Sequence, residues 1–366
     1  MATGIAVHTD PLPYEPCRKT HLDMGMTNLK LTSIHDSPEH FLSMGLRLVQ
    51  AGMGDKAVAL AQQALVGRGE DALLRALAGL ILTENVPSFH RSMLRDDLRN
   101  AAYRRAIESL APGKRVLDIG TGSGLLAMMA ARAGATHVYA CEANPMLAAT
   151  AREIIAANGL AERITVIAAH SNKLDRERDL GGGAELVVSE IFSNNVVGEG
   201  VLLSLADARA RLCIPGAVFL PRSAAIRVGL ADLGRVKPSV DQVEGFSISL
   251  FSRHFPDSSL RRNDKPGLTL RSGVADLFSF DFLSDISQVG HSSVALTVED
   301  GPASGIVQWL RLELAPGISY ENAPGASAGS HWDLTCYPLA EGREIIVGNN
   351  VVVHGWHDQA HLAIWA

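Results

Sequence analysis

Cysteine is scarce. The 366 residues hold four, Cys17, Cys141, Cys213 and Cys336, and no two stand at CxxC spacing. That excludes a disulfide scaffold, offers no structural zinc set and leaves no metal site to expect. Few, scattered thiols point to a reducing compartment, and the expected location is cytoplasmic. Long apolar runs are lacking as well. The strongest, around Leu73–Leu82, is interrupted by Arg75 and is too short to span a bilayer, so no membrane partner is expected. The opening MATGIAVHTDPLPYEP has no basic end followed by an apolar run and does not read as a signal peptide. A surplus of positive charge is also absent. The formal net charge is -6, which argues against a general nucleic-acid binder. What is present is an ordinary globular balance of 47% hydrophobic and 20% charged residues. That balance supports a buried core, in a chain long enough for about two or three units.

The pattern along the chain divides it into three. Residues 1–85 combine an extended lead, to about residue 37, with a helical stretch. Phe41, Leu42, Met44, Leu46 and Leu48 open one helix, Gly52-Met53-Gly54 breaks it, and Ala57, Leu60, Ala61 and Leu65 continue on a second. Leu73, Leu74, Leu77 and Leu80 mark a third. The arrangement resembles one tetratricopeptide-type hairpin, and an ordinary helical cap on the next domain fits it equally. Residues 86–220 begin with a bridging helix over 84–110, stopped by Pro112-Gly113. Strand and helix patterns then alternate: strands at 116–119, 137–141, 164–167 and 185–189, helices at 125–133, 146–158 and 202–212. Alternation of this kind means a parallel sheet with helices on its faces. Residues 221–366 change character. Short runs at 225–228, 246–251, 293–298, 306–314, 331–337 and 344–353, separated by Gly and Pro, predict an antiparallel, β-barrel-like unit.

Val116-Leu117-Asp118-Ile119-Gly120-Thr121-Gly122-Ser123-Gly124 ends a buried strand and opens a helix. Glycines there let the backbone pass close to a ligand. The spacing is GxGxG, whereas the dinucleotide fingerprint GxGxxG would need a glycine at Leu125. Asp118, just before the loop, suits a ligand with a positive amino group better than a pyrophosphate. Glu142 ends the next strand, about 20 residues after Gly120, where a carboxylate accepts both hydroxyls of a ribose. A nicotinamide dinucleotide would satisfy Glu142 alone.

Ser189-Glu190-Ile191-Phe192-Ser193-Asn194-Asn195-Val196-Val197-Gly198-Glu199-Gly200 carries two acids nine residues apart. On one helix they would face opposite ways, but a loop doubling back at its glycines would bring them together. Two converging carboxylates suit a guanidinium, which is planar, cationic and forked. Held on both sides, it keeps more lone-pair density on one terminal nitrogen, which can then attack an electrophilic methyl.

These stretches resemble the seven-strand methyltransferase family, with VLDIGTGSG as its glycine motif and YACEAN at the second strand, from about Val116 to Leu220. The resemblance implies a Rossmann-like α/β sheet and S-adenosyl-L-methionine as cofactor, with Ser171 or Asn172 facing the adenine. The SE and GE pairs look like the double-E loop of protein arginine methyltransferases, closest to the type III, monomethylating branch, since the Trp-Met-Gly-Tyr of dimethylating enzymes is missing. His90-Arg91-Ser92-Met93-Leu94-Arg95-Asp96-Asp97-Leu98-Arg99-Asn100 is similar to the family's first cofactor-covering helix. That likeness implies Arg99 on the cofactor carboxylate and Met93 near the sulfonium. Ser330-His331-Trp332 is similar to the THW loop. It implies His331 beside Asp96, helping a proton leave, and Trp332 on the substrate side.

Two departures accompany the likeness. The aromatic run before the first helix is replaced by Asn85-Val86-Pro87-Ser88-Phe89, and ADLGRVKPSVDQVE, where the family has its dimerisation arm, holds no aromatic residue. The expectation is a homodimer, through that arm or through the N-terminal helices. The expected substrate is arginine, free or peptidyl. The family is mostly known for proteins, and bacterial relatives methylate free arginine for nitrosourea-type natural products; the unusual N-terminus leans toward the latter. A methyltransferase for another small molecule stands as the alternative.

Overall fold

A computed structural model gives the fold and describes residues 37–66, 70–84, 86, 89–234, 242–254, 258–261, 267–286, 288–325, 329–339 and 344–366. The expected lead over residues 1–37 lies outside these except for Ser37. So do Cys17, Asn85, Pro87, Ser88 and most of the arm segment.

Three helices open the described chain: α1 (Pro38–Gln50), α2 (Gly54–Leu65) and α3 (Ala72–Thr83). Proline at the first position starts α1, Gly52 at φ +70° ends it, and Asp71 caps α3 by accepting the Leu74 N–H at 3.0 Å. Phe41, Leu60, Leu74, Ala78 and Ile81 form a small core of their own. The helices rest on the parallel-sheet domain at one place. A Cβ on Gly54 would stand 2.4 Å from the Met146 nitrogen, so only glycine allows that approach.

The bridging helix expected over 84–110 is two helices, α4 (Phe89–Leu94) and α5 (Asp97–Leu110). The break is at Asp96, whose Oδ1 accepts the Arg99 N–H at 3.0 Å and so caps α5. A side chain that caps a new helix ends the old one.

The sheet follows: β1 (Arg115–Ile119), α6 (Leu125–Arg132), β2 (His137–Cys141), α7 (Pro145–Ala157), β3 (Ile164–Ile167), α8 (Arg176–Leu180), β4 (Ala184–Ser189), α9 (Val201–Arg211) and β5 (Cys213–Leu220). Its order is β3-β2-β1-β4-β5, and every pair is parallel. Leu117, Leu186 and Val188 are fully buried, as strands covered on both faces require. Sequence order reverses between β1 and β4, so the crevice lies beyond their carboxyl ends. Among the described residues this sheet has five strands, not seven, because after β5 the chain passes into the antiparallel unit.

That unit holds β6 (Ser223–Asp232), β7 (Gln242–Val243), β8 (Phe246–Ser247), β9 (Ser259–Arg261), β10 (Thr269–Asp281), β11 (Gly290–Thr297), β12 (Gly305–Ala315), β13 (Ile318–Glu321), β14 (Leu334–Pro338), β15 (Asn350–His357) and β16 (Leu362–Trp365). Three antiparallel sheets result among the described residues: β10-β6-β12-β14-β9 with β13 on β12, β11-β15-β16, and the β7-β8 pair; a bridge at Ser272 and Val298 joins the first two. The strand expected at 246–251 shrinks to β8, followed by a 3-10 turn over Ser249–His254. The strand expected from residue 331 starts at Leu334, which leaves His331 and Trp332 in the loop before it. Among the described residues no helix is long and apolar enough to cross a membrane.

Candidate active site

The crevice at the strand ends is a cavity of about 570 Å³. One wall is the glycine loop. Gly120, Gly122 and Gly124 all have left-handed φ, at +72°, +54° and +81°. A Cβ on Gly120 would meet Ile191 Cγ2 at 2.4 Å, so this turn has no room for a side chain. Gly120 lines the cavity; Gly122 and Gly124 do not, and the latter opens α6. Glu142 does line it, held by two backbone donors, the Gly122 N–H at 3.0 Å and the Asn144 N–H at 2.9 Å.

Asp118 sits beneath the loop. It is 1% exposed, its Oδ2 accepts the Thr121 hydroxyl at 2.6 Å, and it does not line the cavity. Burial pushes its carboxyl up to about 6 against the pull of that hydrogen bond. The loop folds back within three residues and brings Thr121 onto this acid.

Glu190 and Glu199 line the same cavity. The turn between them uses four left-handed residues, Val196, Gly198, Glu199 and Gly200. Two of the four carry a Cβ, a strained arrangement that a tightly packed loop can hold. Glu190 is nearly buried and Glu199 exposed. The two oxygens of Glu190 each face a side-chain nitrogen of the chain. Oε2 takes a short ion pair from Arg99 Nη2, and Oε1 lies 3.7 Å from His331 Nε2. Arg99 is 2% exposed, donates to Asn100 Oδ1 at 2.7 Å and sits 5.1 Å from the centre of the Tyr103 ring. Its guanidinium therefore meets Glu190 and does not line the cavity, although its buried Nε has no partner.

Asp96 and His331 meet across 235 residues, with Oδ2 to Nδ1 at 3.1 Å. Burial draws the Asp96 carboxyl upward, but hydrogen bonds from His331, the Arg99 N–H and Tyr320 outweigh it and hold the group below its usual range. For His331, burial opposes the charged ring, and its contacts with Asp96 and Glu190 prevail, so it titrates above the usual imidazole value. Trp332 lines the cavity, and its Nε1–H is donated to the Phe192 carbonyl at 2.8 Å.

Met93 lines the cavity too. Of the two residues expected near an adenine, Ser171 lines the cavity, with a buried hydroxyl that has no partner. Asn172 is exposed and does not. Sequence reasoning missed His90, which lines the same wall; burial lowers its pKa against the upward pull of Glu142 and Glu190. The signal was available, since His90 begins the quoted helix stretch. It also missed Tyr320, which carries no motif.

Several known proteins are similar to this chain. The family described as ribosomal protein L11 methyltransferase (PrmA) matches residues 104–220. An arginine N(omega)-methyltransferase of Streptomyces achromogenes subsp. streptozoticus is 39% identical over 288 residues, 76% of this chain and 78% of the relative. A protein arginine N-methyltransferase 7 of Oryza sativa subsp. japonica is 31% identical over 259 residues, and the chain spans only 36% of its length. Among solved structures, the Trypanosoma brucei PRMT1 enzyme-prozyme heterotetrameric complex with AdoHcy shares the fold, with a TM-score of 0.66 and 24% identity over 75% of this chain and 88% of that one.

Proposed function

The chain belongs to the arginine N-methyltransferases, and on that premise we propose that it moves a methyl group from S-adenosylmethionine to a terminal guanidinium nitrogen of free L-arginine, giving Nω-monomethylarginine. One observation carries the reading: Glu190 and Glu199 open into a single cavity, beside a glycine loop and a carboxylate at the next strand end.

The residues present fit the methyl donor. Glu142 stands where ribose hydroxyls are accepted, Ser171 offers an unpartnered buried hydroxyl, and the unpartnered Arg99 Nε is a donor for a carboxylate. Met93 and His90 complete that wall. The donor supplies an electrophilic methyl on a sulfonium. Glu190 and Glu199 hold the guanidinium and turn one nitrogen toward it. With a guanidinium pKa above about 12, polarisation by paired carboxylates replaces deprotonation before attack. His331 takes the proton released on transfer, and Asp96 steadies the imidazolium.

Free arginine is supported by the Streptomyces relative, which is named for arginine itself and matched over most of its length. On this reading the enzyme serves natural-product biosynthesis. A second reading, peptidyl arginine, has one observation in its favour. Among the described residues the cavity lining carries four carboxylates, Glu142, Glu190, Glu199 and Asp333, and no lysine or arginine to meet an α-carboxylate. Three buried thiols, Cys141, Cys213 and Cys336, suit the cytosol.

Labelled donor, offered with free arginine or with an arginine-glycine peptide, tests the substrate, and mass spectrometry reads the number of methyls. Label on the peptide alone sinks the free-arginine reading. Glu190→Gln should lower kcat by about a hundredfold or more, the scale of a lost charge-stabilising contact. Near-full activity in that variant rules out guanidinium clamping.

A further inference from the structure

Four hydrogen bonds converge on the Asp96 carboxylate, at the break between α4 and α5. Oδ1 accepts the Arg99 N–H. Oδ2 accepts the His331 N–H at 3.2 Å, His331 Nδ1 at 3.1 Å and the Tyr320 hydroxyl at 2.7 Å. Tyr320 comes from β13, is 4% exposed, and packs its ring on Trp332 with centroids 5.4 Å apart. Ser330 Oγ lies 2.9 Å from the same phenol oxygen and accepts the Trp332 N–H at 3.2 Å. A phenol has one proton to give. Beside an acceptor-only carboxylate it goes to Asp96, so the Ser330 hydroxyl donates to the phenol oxygen. The donors then run in one direction, Ser330 to Tyr320 to Asp96, each polarising the next. Packing alone does not ask for the hydroxyl, because a phenylalanine would fill the same space against Trp332.

We propose that Tyr320, backed by Ser330, is a positioning residue for methyl transfer: it fixes the Asp96 carboxylate, which takes the Nδ1–H of His331 and leaves Nε2 turned toward Glu190. The inference rests on His331 being the proton acceptor. During transfer the guanidinium nitrogen bonds to the methyl carbon, the sulfur–methyl bond breaks with its electrons left on a neutral thioether, and the nitrogen's surplus proton passes to Nε2. Charge is conserved, as guanidinium and sulfonium become methylguanidinium and imidazolium.

The groups facing His331 are Asp96 at the helix break, Glu190 at the end of β4, Arg99 on α5 and, through Asp96, Tyr320 on β13. Glu199 and His90 line the same cavity. A proton donated by Tyr320 spreads the negative charge of Asp96. Without it, Asp96 grips the imidazolium more tightly and His331 titrates higher.

Tyr320→Phe is therefore expected to move the acid limb of kcat against pH upward by about one unit, the scale of one hydrogen bond to a charge. KM for donor and for arginine should stay unchanged, and Ser330→Ala should shift the limb the same way by less. NMR titration of the His331 ring reads the same shift without turnover. An unshifted titration and profile overturn the proposal, and so does a uniform loss of activity with no shift, which marks packing alone. If Tyr320→Phe does not fold, Ser330→Ala decides. A chain whose His331 titration shifts but which leaves arginine unmethylated sinks the arginine reading and keeps Tyr320.

Discussion

The helical unit and the antiparallel unit are joined to the parallel sheet by different means. The helices keep a core of their own and meet α7 through Val58, Met146 and Ala149, with two exposed polar pairs, Asp55 with Arg152 and Gln62 with Glu153. The antiparallel unit shares one continuous core with the sheet. Phe282 stacks on Phe192 at 5.7 Å, Gln308 Nε2 donates to the Asn194 carbonyl at 2.9 Å, and the Asp333 N–H donates to Asn194 Oδ1 at 2.9 Å. Each of these contacts lands on the loop that separates Glu190 from Glu199. A shared core that grips the acid loop makes the antiparallel unit part of the reaction site. The helices instead touch the far side of α7, whose Leu147 lines the cavity, so their reach is limited to the donor end.

The largest effect expected from this contrast belongs to Trp332→Ala. The ring is 2% exposed, and its loss leaves a cavity and an unpaired Phe192 carbonyl. The expected cost is about 3–5 kcal/mol, read by chemical denaturation. Sheet and antiparallel unit should melt together in the variant as in the parent. Two separated transitions, one for each, would break the claim of a common core.

The same contrast separates what was legible in the sequence from what was not. The glycine loop, Glu142 and the strand ending in Glu190 could be read because each motif and its secondary structure lie within a few neighbouring residues. The three N-terminal helices were equally open, since apolar spacing and the break at Gly52-Met53-Gly54 are local signals. The break at Asp96 was missed because the apolar face runs on through it, although its cap on the Arg99 N–H three residues on is a local contact. β10 went unread because its burial alternates poorly, with every residue of Thr269–Ala275 exposed or half-buried. Tyr320 was invisible for a different reason. Its partner Asp96 lies 224 residues away, and nothing near Tyr320 in the chain marks it. The ion pair of Arg99 with Glu190 was hidden in the same way, since it forms across 91 residues.

A smaller and more selective effect is expected at the helical seam. Gly54→Val places a side chain where an ideal Cβ already stands 2.4 Å from backbone atoms of Pro145 and Met146. Backbone cannot move aside cheaply, so the helices must lift from α7 or push its first turn, at about 1–3 kcal/mol. Leu147 moves with that turn. Calorimetry with S-adenosylhomocysteine should show donor binding weakened several-fold, with the affinity for arginine unchanged. A loss confined to arginine affinity would mean that the helices reach the acceptor end, and the contrast between the two units would fail.

Least should change at Asp55→Asn, one residue further on. Its carboxylate pairs with Arg152 at 2.8 Å, but the two side chains are 69% and 38% exposed, so water and salt screen the attraction. Arg152 also keeps its bond to the Val166 carbonyl at 3.1 Å without Asp55. The expected change is about 0.5 kcal/mol or less, with donor affinity intact, by thermal melting and calorimetry. Adjacent positions thus distinguish two kinds of seam. If Asp55→Asn weakens the donor as much as Gly54→Val does, the helices are held by charge and not by the close approach at Gly54, and raising the salt concentration should then reproduce both variants in the parent protein.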